Sequence, residues 1–323
     1  MITLHHKMNK LLCKTLAPAT TRSYKPAFQK YLRFCQTNNL KALPVIETNL
    51  MLFVTNISHT SVSNIKIHIS AIKHHATYLI GQYGECYPRL YMLVRAIKRQ
   101  KKKLHKRIPV TVAELRLVHA YLNSSSLHVC DRTMLWAAVT TAFFGFLRSS
   151  EYVSAQTRKY DADTTLCFED IIYKHPNLHI RIKASKTDPF REGCTICLSP
   201  SGADICPVRN LQMYIAQHPI KKGPLFTYAD HSLLTQRRLN SLLKSAIPTT
   251  SKAPVSSHSL RIGAATTAAA AGLPRWLIQS MGRWSSDCFR TYIQIPASTF
   301  THVSHTLATT IKDGEQFDPD LVA

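Results

Sequence analysis

Residues 258–292 read HSLRIGAATTAAAAGLPRWLIQSMGRWSSDCFRTY, and the punctuation of this stretch decides how the chain is read. Ser257 or Ser259 caps a helix whose body is almost all small helix formers, Gly272 supplies a left-handed stop, and Pro274 opens a second helix at its first turn. The stretch is therefore a pair of short helices. His258 and Arg261 stand three apart at the start of the first one, so they share a face beside the positive end of the helix dipole. The volume in front of them should bind an anion. Arg283, Trp284 and Tyr292 follow in the same hairpin as further candidates.

The 323 residues leave room for two domains, each with an ordinary core. The longest apolar run, residues 133–147, is short of the roughly twenty residues a bilayer span needs, and Arg132 and Arg148 close it at both ends. It reads as a buried helix in a soluble chain, with no membrane partner. Nine scattered cysteines, and no signal peptide, point to a reducing compartment and no disulfide framework.

The formal charge of +23 is unevenly spread. Residues 1–107 hold 19 basic and 2 acidic side chains, whereas residues 108–323 hold 22 and 16. Such a polycation repels itself until a polyanion neutralises it, and the backbone of double-stranded DNA is the first candidate.

Residues 1–16 lack a clear period and read as a loose basic lead. A helix from Thr20 puts Tyr24, Phe28, Tyr31, Leu32 and Cys35 on one face. Residues 46–58, residues 63–79 and a segment opened by Pro88 repeat the amphipathic pattern, so residues 17–105 should form a four-helix basic bundle. KRQKKKLHKR, residues 98–107, has the composition of a linker across a phosphate backbone or of a nuclear localisation signal. The second domain, residues 106–323, opens on the capping pattern Thr111-Val112-Ala113-Glu114. Its buried helix ends in Arg148. Residues 165–172, 178–182 and 194–198 alternate as strands of a small antiparallel sheet, with Lys186 at the turn of a hairpin. Residues 204–217 and 235–247 read as helices, joined through the Gly223-Pro224 breaker and a short strand-like segment at 225–227. A tail begins near residue 293. The fold class is thus mainly α with a small antiparallel β-sheet.

Arg148, Lys186, His258, Arg261 and Tyr292, in that order, resemble the active-site series of the tyrosine recombinase, or phage-integrase, family. FGFLRSSEY is similar to its first arginine box, HSLRIGAATTAAAAG to its H-x-x-R box, and GRWSSDCFRTYI to the segment that ends in the nucleophile. IKASKTDPFREG and GRWSS most resemble the eukaryotic DIRS and Crypton mobile-element branch. The resemblance implies a core-binding helical bundle ahead of a DNA breaking-rejoining catalytic domain. It also implies a homotetramer working on DNA and, in a eukaryote, a nuclear location, otherwise the cytoplasm or nucleoid. Tyr292 is implied as the nucleophile that forms a 3′-phosphotyrosyl link. Arg148 and Arg261 would be the phosphate clamp, His258 a proton carrier, and Lys186 the acid for the departing 5′ oxygen, with Lys183 competing for that role. Where many members carry His or Trp directly after the glycine, this chain has Arg283 followed by Trp284. Trp284 is preferred for that fifth place, and Arg283 is the alternative.

The physical chemistry runs parallel. Two guanidinium groups are permanently charged, planar and bidentate, which suits the non-bridging oxygens of a five-coordinate phosphorus without a metal. A covalent phosphotyrosine conserves the energy of the DNA linkage, so no nucleotide cofactor is expected, and the ten glycines form no phosphate-binding loop. Cys194, Cys197 and Cys206 lack a second pair at zinc-ligand spacing and fit a strand better. Two further readings share parts of this pattern: a type IB topoisomerase-like relaxing enzyme, and a domesticated DNA-binding protein without activity.

Overall fold

The structure is a computed structural model that describes residues 2–101, 107–185, 188, 190–218, 221–248 and 254–294. The chain divides into two compact units, Met1–Leu104 and His105–Ala323.

The first unit is helical: α1 (Ile2–Leu12), α2 (Pro18–Thr37), α3 (Glu47–Asn56), α4 (Val62–Ile80) and α5 (Pro88–Gln100). Helix α2 lies along α4, and α3 packs on α5. Phe28, Tyr31 and Cys35 of α2 meet Leu50, Phe53 and Val54 of α3 and Ile65 and Ile72 of α4 in one core. Tyr31 is wholly buried, and its hydroxyl donates to the Ala42 carbonyl at 3.2 Å. Leu32, expected on the buried face of α2, is 37 % exposed, and the core side of the helix is carried by Phe28, Tyr31 and Cys35 with Phe34 partly buried against it. The expected loose lead is helix α1, a run of residues without Gly or Pro that ends in Lys10 at the negative end of its dipole. Glu47, one of two carboxylates in this polycationic third, accepts the Leu90 N–H at 3.0 Å, giving the first turn of α5 a negative partner.

In the second unit α6 (Val112–Ser124) starts on the expected capping box, with the Glu114 carboxylate accepting the Thr111 N–H at 2.8 Å. Helix α7 (Val129–Phe144) is buried on every face over residues 134–143, surrounded by α6, α9 (Pro207–Gln217) and α11 (Ser257–Ala270). A four-residue helix α8 (Ser149–Tyr152) follows it. The antiparallel sheet has the order β1 (Ile171–Lys174), β2 (Asn177–Ile182), β3 (Cys194–Leu198), with Ile180 facing Ile171 on one side and Ile196 on the other. The first strand starts later than the expected 165–172. Asp170 turns its carboxylate back to the Cys167 N–H at 2.8 Å, which closes a 3-10 turn at Phe168–Asp170 and delays the strand. Helix α9 starts at Pro207 rather than at residue 204, since proline suits a first turn. Residues 225–227 make only isolated bridging contacts, such as Thr227 with Leu233. Helix α10 (Gln236–Ala246) completes the layer before α11 and α12 (Arg275–Met281).

Helix α11 is capped by Ser256 rather than by Ser257 or Ser259, and Ser259 Oγ accepts the Ser256 N–H at 3.1 Å. Gly272 ends the turn after it at φ +73°, as the pattern requires. Residues 108–110 run against the start of α11, with the Val110 N–H donating to the Ser259 carbonyl at 2.9 Å. A methyl group on Gly263 would stand 1.8 Å from the Val110 carbonyl oxygen, so only glycine lets these backbones approach. Gly263→Ala should therefore destabilise the second unit by about 1–3 kcal/mol in chemical denaturation. A loss below about 0.5 kcal/mol would show that the contact relaxes freely.

Candidate active site

The end of α7 builds the first side of the site. Gly145 ends the helix, Phe146 takes a left-handed backbone (φ +49°), and Arg148 stands immediately before α8. Glu151, three residues on, folds back. One carboxylate oxygen accepts the Arg148 N–H at 2.8 Å and the other accepts Arg148 Nη1 at 3.2 Å. The Glu151 side chain is buried, the residue being 2 % exposed, which makes its pairing a necessity rather than a surface accident. Arg148 Nη1 also donates to Ser185 Oγ at 2.7 Å, tying the box to the chain beyond β2.

Arg261 enters from α11 and is 0 % exposed, the largest fully buried side chain among the described residues. Its two terminal nitrogens donate to the carbonyls of Phe146 and Gly282. The guanidinium carbon lies 4.3 Å from the Trp284 ring centroid and 5.8 Å from that of Tyr292. Burial, followed by the charges of Arg148 and Arg283, brings this guanidinium down to about 10, while Glu151 and Tyr292 act the other way. It remains a cation at neutral pH.

The third side comes after α12. Arg283 holds a left-handed backbone at φ +54°, and its Nη2 donates to Glu151 at 2.9 Å and to the Phe146 carbonyl at 3.2 Å. Trp284 is 7 % exposed and folds back so closely that a Cβ on Gly282 would stand 1.8 Å from its ring. Tyr292 ends the 3-10 turn Asp287–Thr291, half-buried, with its ring 5.0 Å from Trp284 and 5.3 Å from His258 in an edge-on contact. Thr266 of α11 fixes the backbone there, donating to the Tyr292 carbonyl at 3.3 Å and accepting the Gln294 N–H at 3.1 Å. One helix thus carries His258, Arg261 and the anchor for Tyr292. His258 and Arg261 do meet, but at the Tyr292 ring. The two terminal nitrogens of Arg261 turn to backbone carbonyls rather than into open space, while its Nε is buried without a hydrogen-bond partner among the described residues.

Arg148, His258, Arg261, Arg283, Trp284 and Tyr292 are brought together by these contacts. Lys183 is held elsewhere, by Asp170 at 2.8 Å; burial opposes its charge, but Asp170 and the Cys167 thiol raise its affinity for the proton above the ordinary lysine value. Lys186 and the tail from residue 295 lie outside the described residues. Sequence reasoning passed over Glu151 and Ser185. The spacing Arg148-x-x-Glu151, the same as that of a capping box, was the available signal for the first. No local pattern marks Ser185, which reaches Arg148 across 37 residues.

Chemically, three guanidinium groups converge on one buried carboxylate and one carbonyl, leaving a net charge of +2 in partly buried surroundings. Buried cations in excess are costly unless an anion arrives to pair with them. The arrangement suits a tetrahedral or trigonal-bipyramidal oxyanion beside a phenol.

No protein-family description matches the sequence, and no curated protein does. Solved structures do match. A lambda integrase fragment, residues 75–356, seen as a dimer bound to a COC' core site, is 14 % identical with a TM-score of 0.58, over 98 % of this chain and 98 % of that one. XerH site-specific recombinase in a post-cleavage complex with palindromic difH substrate is 16 % identical with a TM-score of 0.57, over 82 % of this chain and 70 % of the other. The Tn1549 transposon integrase in complex with circular intermediate DNA is 13 % identical with a TM-score of 0.54, over 86 % and 98 %. At these identities the likeness is one of fold, and the mainly helical second unit with its three-stranded antiparallel sheet has the fold of the tyrosine recombinase catalytic domain.

Proposed function

We propose that this chain is a site-specific DNA recombinase that cuts and rejoins double-stranded DNA through a 3′-phosphotyrosyl intermediate. The observation that carries the reading is the net-positive cluster of Arg148, Arg261 and Arg283 beside the Tyr292 ring, with His258 edge-on to that ring. In the proposed step the Tyr292 hydroxyl attacks phosphorus, the bond from phosphorus to the 5′ oxygen breaks, and His258 takes the phenolic proton. Arg148 and Arg261 stabilise the charge that builds on the non-bridging oxygens. Lys186 protonates the departing 5′ oxygen, and the engagement of Lys183 with Asp170 supports assigning that role to Lys186. Rejoining reverses each transfer with a new 5′ hydroxyl. The arginines supply the charge neutralisation, so the reaction is proposed to run without metal or nucleotide.

The wording of residues 182–193 and of GRWSS supports a mobile-element enzyme of the DIRS and Crypton type, acting in a nucleus. The lambda integrase and XerH matches are of DNA-bound structures, and one lambda integrase match is a tetramer on a Holliday junction, which supports a homotetramer on DNA as the working form. The proposed domains are a basic lead at 1–16, a core-binding domain at 17–105 and a catalytic domain at 106–323 with a tail from about 293.

Incubation with nicked suicide duplexes should yield protein-linked DNA. Tyr292→Phe, which removes only the hydroxyl, should abolish the adduct while duplex affinity stays within about twofold. An undiminished adduct would move the nucleophile to another residue. Arg148→Ala should slow adduct formation on the order of a hundredfold at saturating DNA, and a chelator should leave the rate unchanged. Equal losses in binding and rate would recast Arg148 as a docking contact. Residues 1–107 alone, with 19 basic and 2 acidic side chains, should bind duplex DNA with affinity that falls steeply as salt rises; salt-insensitive binding would contradict the electrostatic reading.

A further inference from the structure

We infer that Arg283 is a positioning residue that joins Arg148 and Arg261 into one rigid guanidinium unit, a role whose chemical consequence rests on the strand-transfer reading above. Arg148 is held by the Glu151 carboxylate, and Arg261 by the Phe146 carbonyl. Arg283 Nη2 donates to both of those acceptors, at 2.9 Å and 3.2 Å, so the same nitrogen bridges the two anchors.

Three features make this a built link. The Arg283 side chain is 16 % exposed, and its Nη1 faces the Cys194 thiol at 3.8 Å, so the group is walled in rather than swinging in solvent. Its backbone sits at φ +54°, a conformation that costs a non-glycine residue about 1–2 kcal/mol and persists only where surrounding contacts impose it. The preceding residue, Gly282, gives its carbonyl to Arg261 and lies under the Trp284 ring, so the turn that aims Arg283 at Glu151 is the turn that holds Arg261. A planar fork with permanent charge suits two acceptors at once, whereas an ammonium group, being a compact point charge, favours the carboxylate over the carbonyl.

The test uses the full chain with labelled arginine side chains and measures, by NMR, the rate at which each guanidinium rotates. Arg132, which donates to the Asn123 carbonyl away from the site, is the internal control. In Arg283→Met both Arg148 and Arg261 should rotate faster by about fivefold or more, with Arg132 unchanged, as two anchors lose a shared hydrogen-bond partner. Arg283→Lys should restore Arg148 more than Arg261. Unchanged rotation of Arg148 and Arg261 in Arg283→Met overturns the inference, whatever the activity. Should that variant fail to fold, Glu151→Gln cuts the same link from the other side: faster rotation of Arg261, which does not touch Glu151, supports the inference, and release of Arg148 with Arg261 still held overturns it.

Adduct formation on nicked duplex separates the two readings. In an active parent, Arg283→Met should lower the rate at saturating DNA by about tenfold or more with duplex affinity changed less than about twofold. A double-mutant cycle with Glu151→Gln should be strongly non-additive, because both changes break one link. Additive losses would make Arg283 an independent contact and overturn the positioning role. A parent that forms no adduct but shows the predicted rotation sinks the strand-transfer reading and leaves the positioning role standing.

Discussion

Glu151 is a single carboxylate with almost no solvent around it, and two guanidinium groups lean on it while a third stands within its field. Burying this carboxylate unpaired would cost several kcal/mol, so the arginines are required by the fold as well as available to a substrate. The reverse also holds: one negative charge cannot neutralise three positive ones. What remains is a fixed, partly dehydrated positive charge, where an incoming oxyanion finds donors already oriented and little reorganisation left to do. Arg261 shows the cost most plainly. Its guanidinium is brought down to about 10 by burial and by its cationic neighbours, yet stays charged at any physiological pH.

The rest of the second unit delivers that cluster. A helix buried on all sides, α7, gives Phe146 and Arg148 a rigid origin, and the left-handed turn at Phe146 presents its carbonyl to Arg261 and Arg283 together. Helix α11 can lie close enough to contribute Arg261 because Gly263 leaves no side chain against the Val110 carbonyl. Gly282 does the same for the Trp284 ring, and Trp284 in turn forms the apolar wall shared by Arg261 and Tyr292. Small residues at these positions therefore set how closely Arg261, Trp284 and Tyr292 pack together.

Much of this was legible beforehand, for identifiable reasons. Helix α7 declared itself as an uninterrupted apolar run between two arginines, and the end of α11 as a glycine followed by a proline, signals that depend on local sterics alone. Arg148, His258, Arg261 and Tyr292 were legible as spaced motifs, and the structure brings their side chains into one network. Less accessible was anything decided by tertiary partners. Leu32 obeys the helical period of α2 and is nonetheless exposed, at the edge of a buried face centred on Phe28, Tyr31 and Cys35. The strand expected at 165–172 gave way to a turn closed by Asp170, whose carboxylate also holds Lys183. Arg283 looked like a departure from a motif; its place between Glu151 and Phe146 depends on residues more than 130 positions away, which no local window reports.

An arginine cluster left at a net charge of +2 should act as a receptor for an oxyanion, and ligand-linked stability tests this without any DNA. Thermal unfolding of the full chain should be followed with increasing tungstate, a tetrahedral oxyanion, at constant ionic strength. Binding to the native site raises stability with the logarithm of concentration, by about 2.7 kcal/mol at a hundredfold excess over the dissociation constant. A saturable rise in the unfolding temperature is expected, largely lost in Arg148→Ala. No rise, or a rise of the same size in Arg148→Ala, would contradict it.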